Sequence, residues 1–169
     1  MSRVRKTSAR VVAYGEVDEL NSVIGLARQT PLPDGYDAWL AVIQNDLFDL
    51  GADLCVPESG GSGERLRVTP QQVTRLEELC DAVNETLEPL TSFVLPGGSG
   101  AAAALHHART VCRRAERAAV ALADEEALNA NAVAYLNRLS DLMFILARGA
   151  NAAAGGDVLW VPGGSSPIT

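Results

Sequence analysis

Phe93 to Arg117, FVLPGGSGAAAALHHARTVCRRAER, decides the fold: a short extended piece, a glycine-rich turn, then a helix whose second half is crowded with arginine. At about 100° per residue, Arg109, Arg113, Glu116 and Arg117 share roughly a third of the helix circumference. Beside them runs the apolar stripe Leu105, Ala108, Cys112, Ala115, Ala119 and Leu122. A stripe of that kind has to be buried. The arginines are therefore expected at the edge of a packed seam, partly out of water and in need of anions. Three guanidinium groups and one carboxylate do not neutralise each other. In a chain of formal net charge -7, this local positive excess suits a bound polyanion such as a phosphate chain held by bidentate forks. Salt bridges within and between helices account for the same residues equally well, and helix physics alone leaves both readings open.

At 169 residues, the chain is expected to form one domain over 1–169 with a single sizeable core. Hydrophobic residues make up 47% and aromatics only 5%. The apolar content is mostly Ala, Leu and Val, which favours closely packed helices over a β-sandwich. The acidic balance argues against a nucleic-acid binder, because no basic stripe outside the arginine helix is long enough to follow a phosphodiester backbone. Cys55, Cys80 and Cys112 are odd in number and far apart. They are expected reduced and buried, which implies a cytoplasmic protein. The basic N-terminus carries no apolar h-region, and no run of 18 apolar residues occurs, so neither a secretory signal nor a membrane span is expected.

Before the arginine helix, Arg10 to Arg28 reads as a first helix with Val17, Leu20 and Ile24 on its core side. Tyr14, Asp18, Asn21 and Gly25 form a second stripe where a neighbouring helix would pass. That makes Asp18 a candidate partner for one of the arginines. Asp37 to Leu54 reads as a second helix on the series Leu40, Ile43, Leu47, Leu50 and Leu54. Asp46, Asp49 and Asp53 follow one side of it at a spacing able to hold a divalent metal. No His or Glu completes the ligand set, so a solvated acidic face is the expectation and no protein-held metal is predicted.

Residues 57–65 (PESGGSGER) read as a flexible linker. Thr69 and Pro70 open a third helix, with Gln72 placed for a capping box, and Leu76, Cys80, Val83 and Leu87 form its buried side. A fifth helix is expected from about Glu126 to Ala153 on Ala132, Leu136, Leu139, Met143, Leu146 and Ala150. Asn137 lies beside that seam, where an amide needs a partner. The tail 155–169 holds Trp160 and Pro162 in a loop able to dock on the bundle. The sum is an all-α, up-and-down five-helix bundle with short connections.

Several chemistries are excluded. His106 and His107 point about 100° apart on a helix and cannot chelate one metal. Glu-x-x-His, Cys-x-x-Cys, Gly-x-Ser-x-Gly and the Walker pattern are all missing from the chain. What remains is a cation-rich site for a reaction in which the substrate brings the reactive atom.

RVVAYGEVDELNSVIGLAR (10–28), IQNDLFDLGADL (43–54), FVLPGG (93–98), LHHARTVCRRAER (105–117) and YLNRLSDLMFILAR (135–148), with Arg3, Val4 and Lys6 ahead of them, occur in one order over most of the chain. In these segments the sequence resembles the PduO-type ATP:cob(I)alamin adenosyltransferases. The resemblance implies a homotrimer of five-helix bundles with active sites between subunits. It further implies transfer of the 5′-deoxyadenosyl group of ATP to the cobalt of cob(I)alamin, with release of triphosphate and with Mg²⁺ on the phosphates. A corrinoid reductase and an adenosylcobalamin-dependent mutase are the implied protein partners.

Carried onto this sequence, the resemblance gives Arg113 and Arg117 the triphosphate, assisted by Lys6 and the neighbouring Arg3. Asp18 would pair with Arg113 across the subunit interface, and Asn137 would contact the nucleotide. Phe93 would wedge under the corrin ring and exclude the lower axial ligand, which would make cobalt(II) easier to reduce. Arg109 and Glu116 take supporting roles. Family members usually begin with a Thr-Gly-Asp-x-Gly-x-Thr segment that wraps the phosphates, and here Met1 stands just ahead of the Arg-Val-x-Lys piece. A shortened or late-assigned start and weak ATP binding both fit that difference. The alternative function is a non-catalytic corrinoid carrier or trimeric interaction module. A plain helical scaffold with structural arginines is the remaining option.

Overall fold

A computed structural model describes residues 4–58 and 65–164. Arg3, most of the 57–65 linker and the end of the 155–169 tail lie outside the described residues. The helices are α1 (Ala9–Ala27), α2 (Tyr36–Cys55), α3 (Pro70–Asn84), α4 (Gly100–Glu125) and α5 (Ala130–Ala152). The architecture is all-α, as expected, and all five helices contribute to one core.

The fourth helix lies between α1 and α5, while α2 leans on α1 and α3 leans on α5. Its predicted stripe is fully buried from Leu105 to Leu122. Because small residues, three alanines and Cys112, fill the middle of that stripe, its neighbours approach closely, and the Cys112 thiol donates to the Leu136 carbonyl at 3.2 Å. Leu40, Ile43, Leu47, Leu50 and Leu54 of α2 are likewise buried, as are Leu136, Leu139, Met143 and Leu146 of α5. Arg10, at the start of α1, is buried too; it donates to the Leu54 carbonyl at the end of α2 and to Glu126 at 2.6 Å.

The solvated acidic face expected on α2 is not there. Asp46 and Asp53 are 6% and 2% exposed. At i and i+7 they fall on the same side as Ile43, Leu50 and Leu54, so the core stripe carries them inward. Each is satisfied by several donors, as buried charge requires. Asp46 accepts from Gln72 (2.9 Å), from the Tyr135 hydroxyl (2.9 Å) and from Arg75. Asp53 accepts from the Val68 amide (2.8 Å), from Asn129 (2.7 Å) and from Arg67. Among the described residues, no cluster of three or more His, Cys, Asp or Glu side chains is arranged to hold a metal.

These two carboxylates account for how α3 is held, since its main helical neighbour is α5 rather than α2 or α4, which flank it in sequence. The Thr69 cap joins the same network. Its amide donates to Gln72 at 2.8 Å, and Gln72 passes its own N–H to Asp46. Helix α5 starts at Ala130, four residues later than expected from periodicity, because Asn129 is its cap and accepts from the Asn131 amide at 3.1 Å. All three cysteines are free. Cys80 and Cys112 are buried as expected, whereas Cys55 is exposed on the last residue of α2, clear of the core stripe.

Asp53→Ala strands Arg67, Asn129 and a buried amide together, and is expected to lower unfolding free energy by about 3 kcal/mol. Tyr135→Phe removes one hydrogen bond and is expected to cost about 1 kcal/mol. Urea unfolding followed by circular dichroism checks both values and their order.

Candidate active site

The site is built from the entry of α4 outward. Gly98 turns the chain with φ 103°, and a Cβ there would run into the Asn151 side chain. Glycine is required at that point. Asn151, buried near the end of α5, accepts from the Ser99 amide at 3.0 Å and donates to the Gly97 carbonyl at 3.0 Å and to Asp157 at 3.3 Å. Ser99 then caps α4 by accepting from the Ala102 amide at 3.1 Å.

Ahead of this turn, residues 93–95 run antiparallel to the tail in an isolated bridge between Val94 and Leu159. The Leu95 amide donates to the Val158 carbonyl (2.8 Å), and the Trp160 amide donates to the Phe93 carbonyl (2.7 Å). The tail thus docks on the extended piece itself. Phe93 is 76% exposed, with its ring edge-on to Trp160 at 5.8 Å between centroids.

Further along α4, Arg113 donates to Glu116 at 2.6 Å, and Asn137 donates to the other Glu116 oxygen at 2.9 Å. Both carboxylate oxygens are engaged, and the Glu116 side chain is 12% exposed. Arg117 is exposed and has no carboxylate partner among the described residues. Glu116 and Asn137 open onto a groove of about 600 Å³ whose walls include Ala123, Leu128, Val133 and Ala134. Of the arginines on α4, Arg114 turns toward α1 and pairs with Glu16 and Glu19.

Arg109 lies apart from this ridge. Its Nε is buried with no hydrogen-bond partner, and its guanidinium carbon stands 6.0 Å from the Phe144 ring centre. The neighbouring His106 is also buried, and both its ring nitrogens lack partners. Burial lowers its pKa from the ordinary 6.5, Arg109 lowers it further, and Asp157 opposes them. His107, in contrast, is exposed.

Asp18 is exposed and sits in a groove between α1 and α2 with Tyr14, Asn21 and Phe48. One chain does not bring it to Arg113. Lys6 is exposed just ahead of α1. Phe93 precedes α4, whereas Arg113 lies thirteen residues past Gly100, about 20 Å along the axis. A ligand touching both must be long, or must be shared between copies of the chain. Sequence reasoning missed Arg148, Asn151 and Asp157, whose roles depend on the tail folding back. Arg148 donates to Asp157 at 2.9 Å and to the Glu88 carbonyl at 2.7 Å. A Gly-Gly turn ahead of a helix, with an Asn on the following helix, was the only available signal.

In sequence and fold, the chain matches known transferases. The family described as cobalamin adenosyltransferase matches residues 1–150. The corrinoid adenosyltransferase of Mycobacterium tuberculosis (strain ATCC 25618 / H37Rv) is 53% identical over 168 residues, covering 97% of this chain and 86% of that protein. The cobalamin adenosyltransferase of Cupriavidus metallidurans is 54% identical over 161 residues, covering 94% and 84%. Among solved structures, a phenylalanine-to-alanine variant of a PduO-type ATP:corrinoid adenosyltransferase from Lactobacillus reuteri, complexed with cobalamin and ATP, superposes with a TM-score of 0.88. It is 39% identical and covers 93% of this chain and 88% of its own. The chain belongs to the cobalamin adenosyltransferase family.

His106 has a depressed pKa in the fold, so the stability it contributes is present above pH 6.5 and is lost as pH falls through the lower folded value. The melting temperature is expected to drop between pH 6.5 and 5, and His106→Asn is expected to flatten part of that drop. Thermal melts across this range provide the check.

Proposed function

We propose that this chain transfers the 5′-deoxyadenosyl group of ATP to the cobalt of cob(I)alamin, giving adenosylcobalamin and triphosphate. The observation that carries the reading is the Glu116 clamp. With Glu116 held by Arg113 and Asn137, Arg117 and the outer edge of Arg113 remain as surplus positive charge on the same stretch of α4. There Glu116 opens onto a groove of mostly alanine, leucine and valine walls, where the other carboxylate, Glu126, is already paired with Arg10. That combination suits a nucleotide: base and sugar against the alanines, phosphates against the forks.

Cobalt(I) in the corrinoid substrate is the nucleophile, so no general base is needed. The residues have to align and neutralise. Arg113 and Arg117, with Lys6 and Arg3 from the N-terminal segment, offset the charge that develops on the departing triphosphate. Asn137 has a second amide hydrogen free to orient the nucleotide. Phe93, exposed and apolar, excludes a lower ligand from the corrinoid face. Mg²⁺ held chiefly by phosphate oxygens would supply charge neutralisation there.

Assembly as a homotrimer is part of the proposal. Phe48, exposed by 73%, lines the same groove between α1 and α2 as Asp18, and a second copy covering it would bring Asp18 toward Arg113. Arg109, whose Nε lacks a partner and whose guanidinium faces Phe144, has a supporting role one turn before Arg113. Among the described residues, no helix is long and apolar enough to cross a membrane. The proposal sets the protein in the cytoplasm, supplied by a corrinoid reductase and serving an adenosylcobalamin-dependent mutase. A non-catalytic carrier is disfavoured, because the relatives are named as transferases over nearly the whole chain.

Calorimetric titration with MgATP, then absorbance-monitored alkylation of cob(I)alamin, tests the reading. Arg117→Ala is expected to weaken ATP binding about tenfold to hundredfold while leaving unfolding free energy within about 0.5 kcal/mol. Arg114→Ala is expected to do the reverse, costing about 1 kcal/mol of stability with ATP affinity unchanged. Wild-type ATP affinity in Arg117→Ala would overturn the assignment of the ridge.

A further inference from the structure

We propose that Trp160 is the positioning residue for Phe93, so that the C-terminal segment and not the core fixes the ring facing the corrinoid. This rests on the reading above that Phe93 excludes the lower ligand. A phenylalanine 76% exposed has little packing to hold its side-chain torsions. Among the described residues, its one aromatic contact is the edge of Trp160, at 5.8 Å and 66°. An arrangement of this kind favours one ring orientation over the others.

The backbone delivers the indole to that place. Trp160 donates its amide to the Phe93 carbonyl at 2.7 Å, and its own carbonyl accepts from the Ser92 hydroxyl at 2.8 Å. The tail is in turn fastened by Asp157, which accepts from Arg148 at 2.9 Å and from Asn151 at 3.3 Å. The Arg148 and Asp157 side chains are only 9% and 12% exposed. Asn151 also binds both sides of the Gly98 turn. One corner of α5 therefore sets both ends of the 93–99 segment, and Trp160 acts on the ring between them. A wedge displaces a ligand only if it keeps its place when pressed, and this framework gives an exposed ring that resistance.

The test uses the full chain loaded with MgATP and cob(II)alamin. Electron paramagnetic resonance reads the nitrogen superhyperfine splitting that marks a lower nitrogen ligand still on cobalt. In the wild type, the splitting is expected to be lost from the bound fraction whose lower base is displaced. Trp160→Ala is expected to retain it in most of the bound corrinoid, to lower kcat about tenfold, and to leave KM for ATP unchanged. Trp160→Phe is expected to recover most of the wild-type signal. Phe93→Ala is expected to retain the splitting fully, and adding Trp160→Ala to it is expected to cause no further loss, because the indole acts through the ring.

If Phe93→Ala alters coordination and Trp160→Ala behaves as wild type, the inference is overturned while the reading of Phe93 stands. Multiplicative losses in the double variant overturn it too, since Trp160 would then act independently. If Phe93→Ala leaves coordination unchanged, the reading of Phe93 itself fails and this inference falls with it. Should Trp160→Ala not fold by circular dichroism, Trp160→Leu keeps the apolar bulk and the backbone pairing. Wild-type coordination in that variant is then the overturning result.

Discussion

The close fit of α4 between α1 and α5 is the constraint on which the rest of the structure depends. Alanines at 102, 108, 115 and 119, with Cys112, are fully buried and leave no bulk to separate the three helices. A larger residue on that stripe would have to push a neighbour outward, and cores resist such insertion. The tight seam is also what places the cations. Opposite the seam, α4 presents an exposed face that includes His107, Thr110, Arg113, Arg117 and Ala121, while Arg114 reaches toward α1. Neighbours in sequence, Arg113 and Arg114 have different partners: Arg113 pairs with Glu116 on its own helix, and Arg114 holds α4 to α1 through Glu16 and Glu19.

Charge is arranged with the same economy elsewhere. The buried carboxylates on α2 are fully partnered, and the Glu116 carboxylate is saturated by one arginine and one amide. In an acidic chain the acidic groups near the ridge could have cancelled it, but the nearest one is already occupied. The surplus on the ridge is therefore a property of geometry and not of composition. Net charge, which is negative, gives no hint of it.

Much of the fold was legible because helical periodicity depends on nearest neighbours along one helix. The stripes on α1, α2, α4 and α5, the Thr69 cap and the turn before α4 all belong to that class. Asp46 and Asp53 were misread as a wet face because their donors, Arg67, Gln72, Arg75, Asn129 and Tyr135, come from distant segments, and spacing alone could not supply them. Their position on the stripe of Ile43 and Leu50 was the clue that outweighed their charge. The start of α5 was misplaced for a related reason: Asn129 had to be seen binding Asp53 before it could be seen as a cap. Arg113, Glu116 and Asn137 were legible as candidates from their helical faces. That the tail could dock was legible from Trp160 and Pro162, but its pairing with residues 93–95 was not, because two short paired segments leave no periodic trace.

The fastening around Asp53 has an engineering consequence. On one side of residues 59–64 the Pro57 carbonyl accepts from Arg65 at 2.9 Å, and on the other the Val68 amide is bound to Asp53. Both stems are anchored by contacts among the described residues. Lengthening that stretch with an epitope tag or a fluorophore tether should then add chiefly closure entropy, about 0.6 kcal/mol for each doubling of the loop, and makes it a natural attachment point for labels.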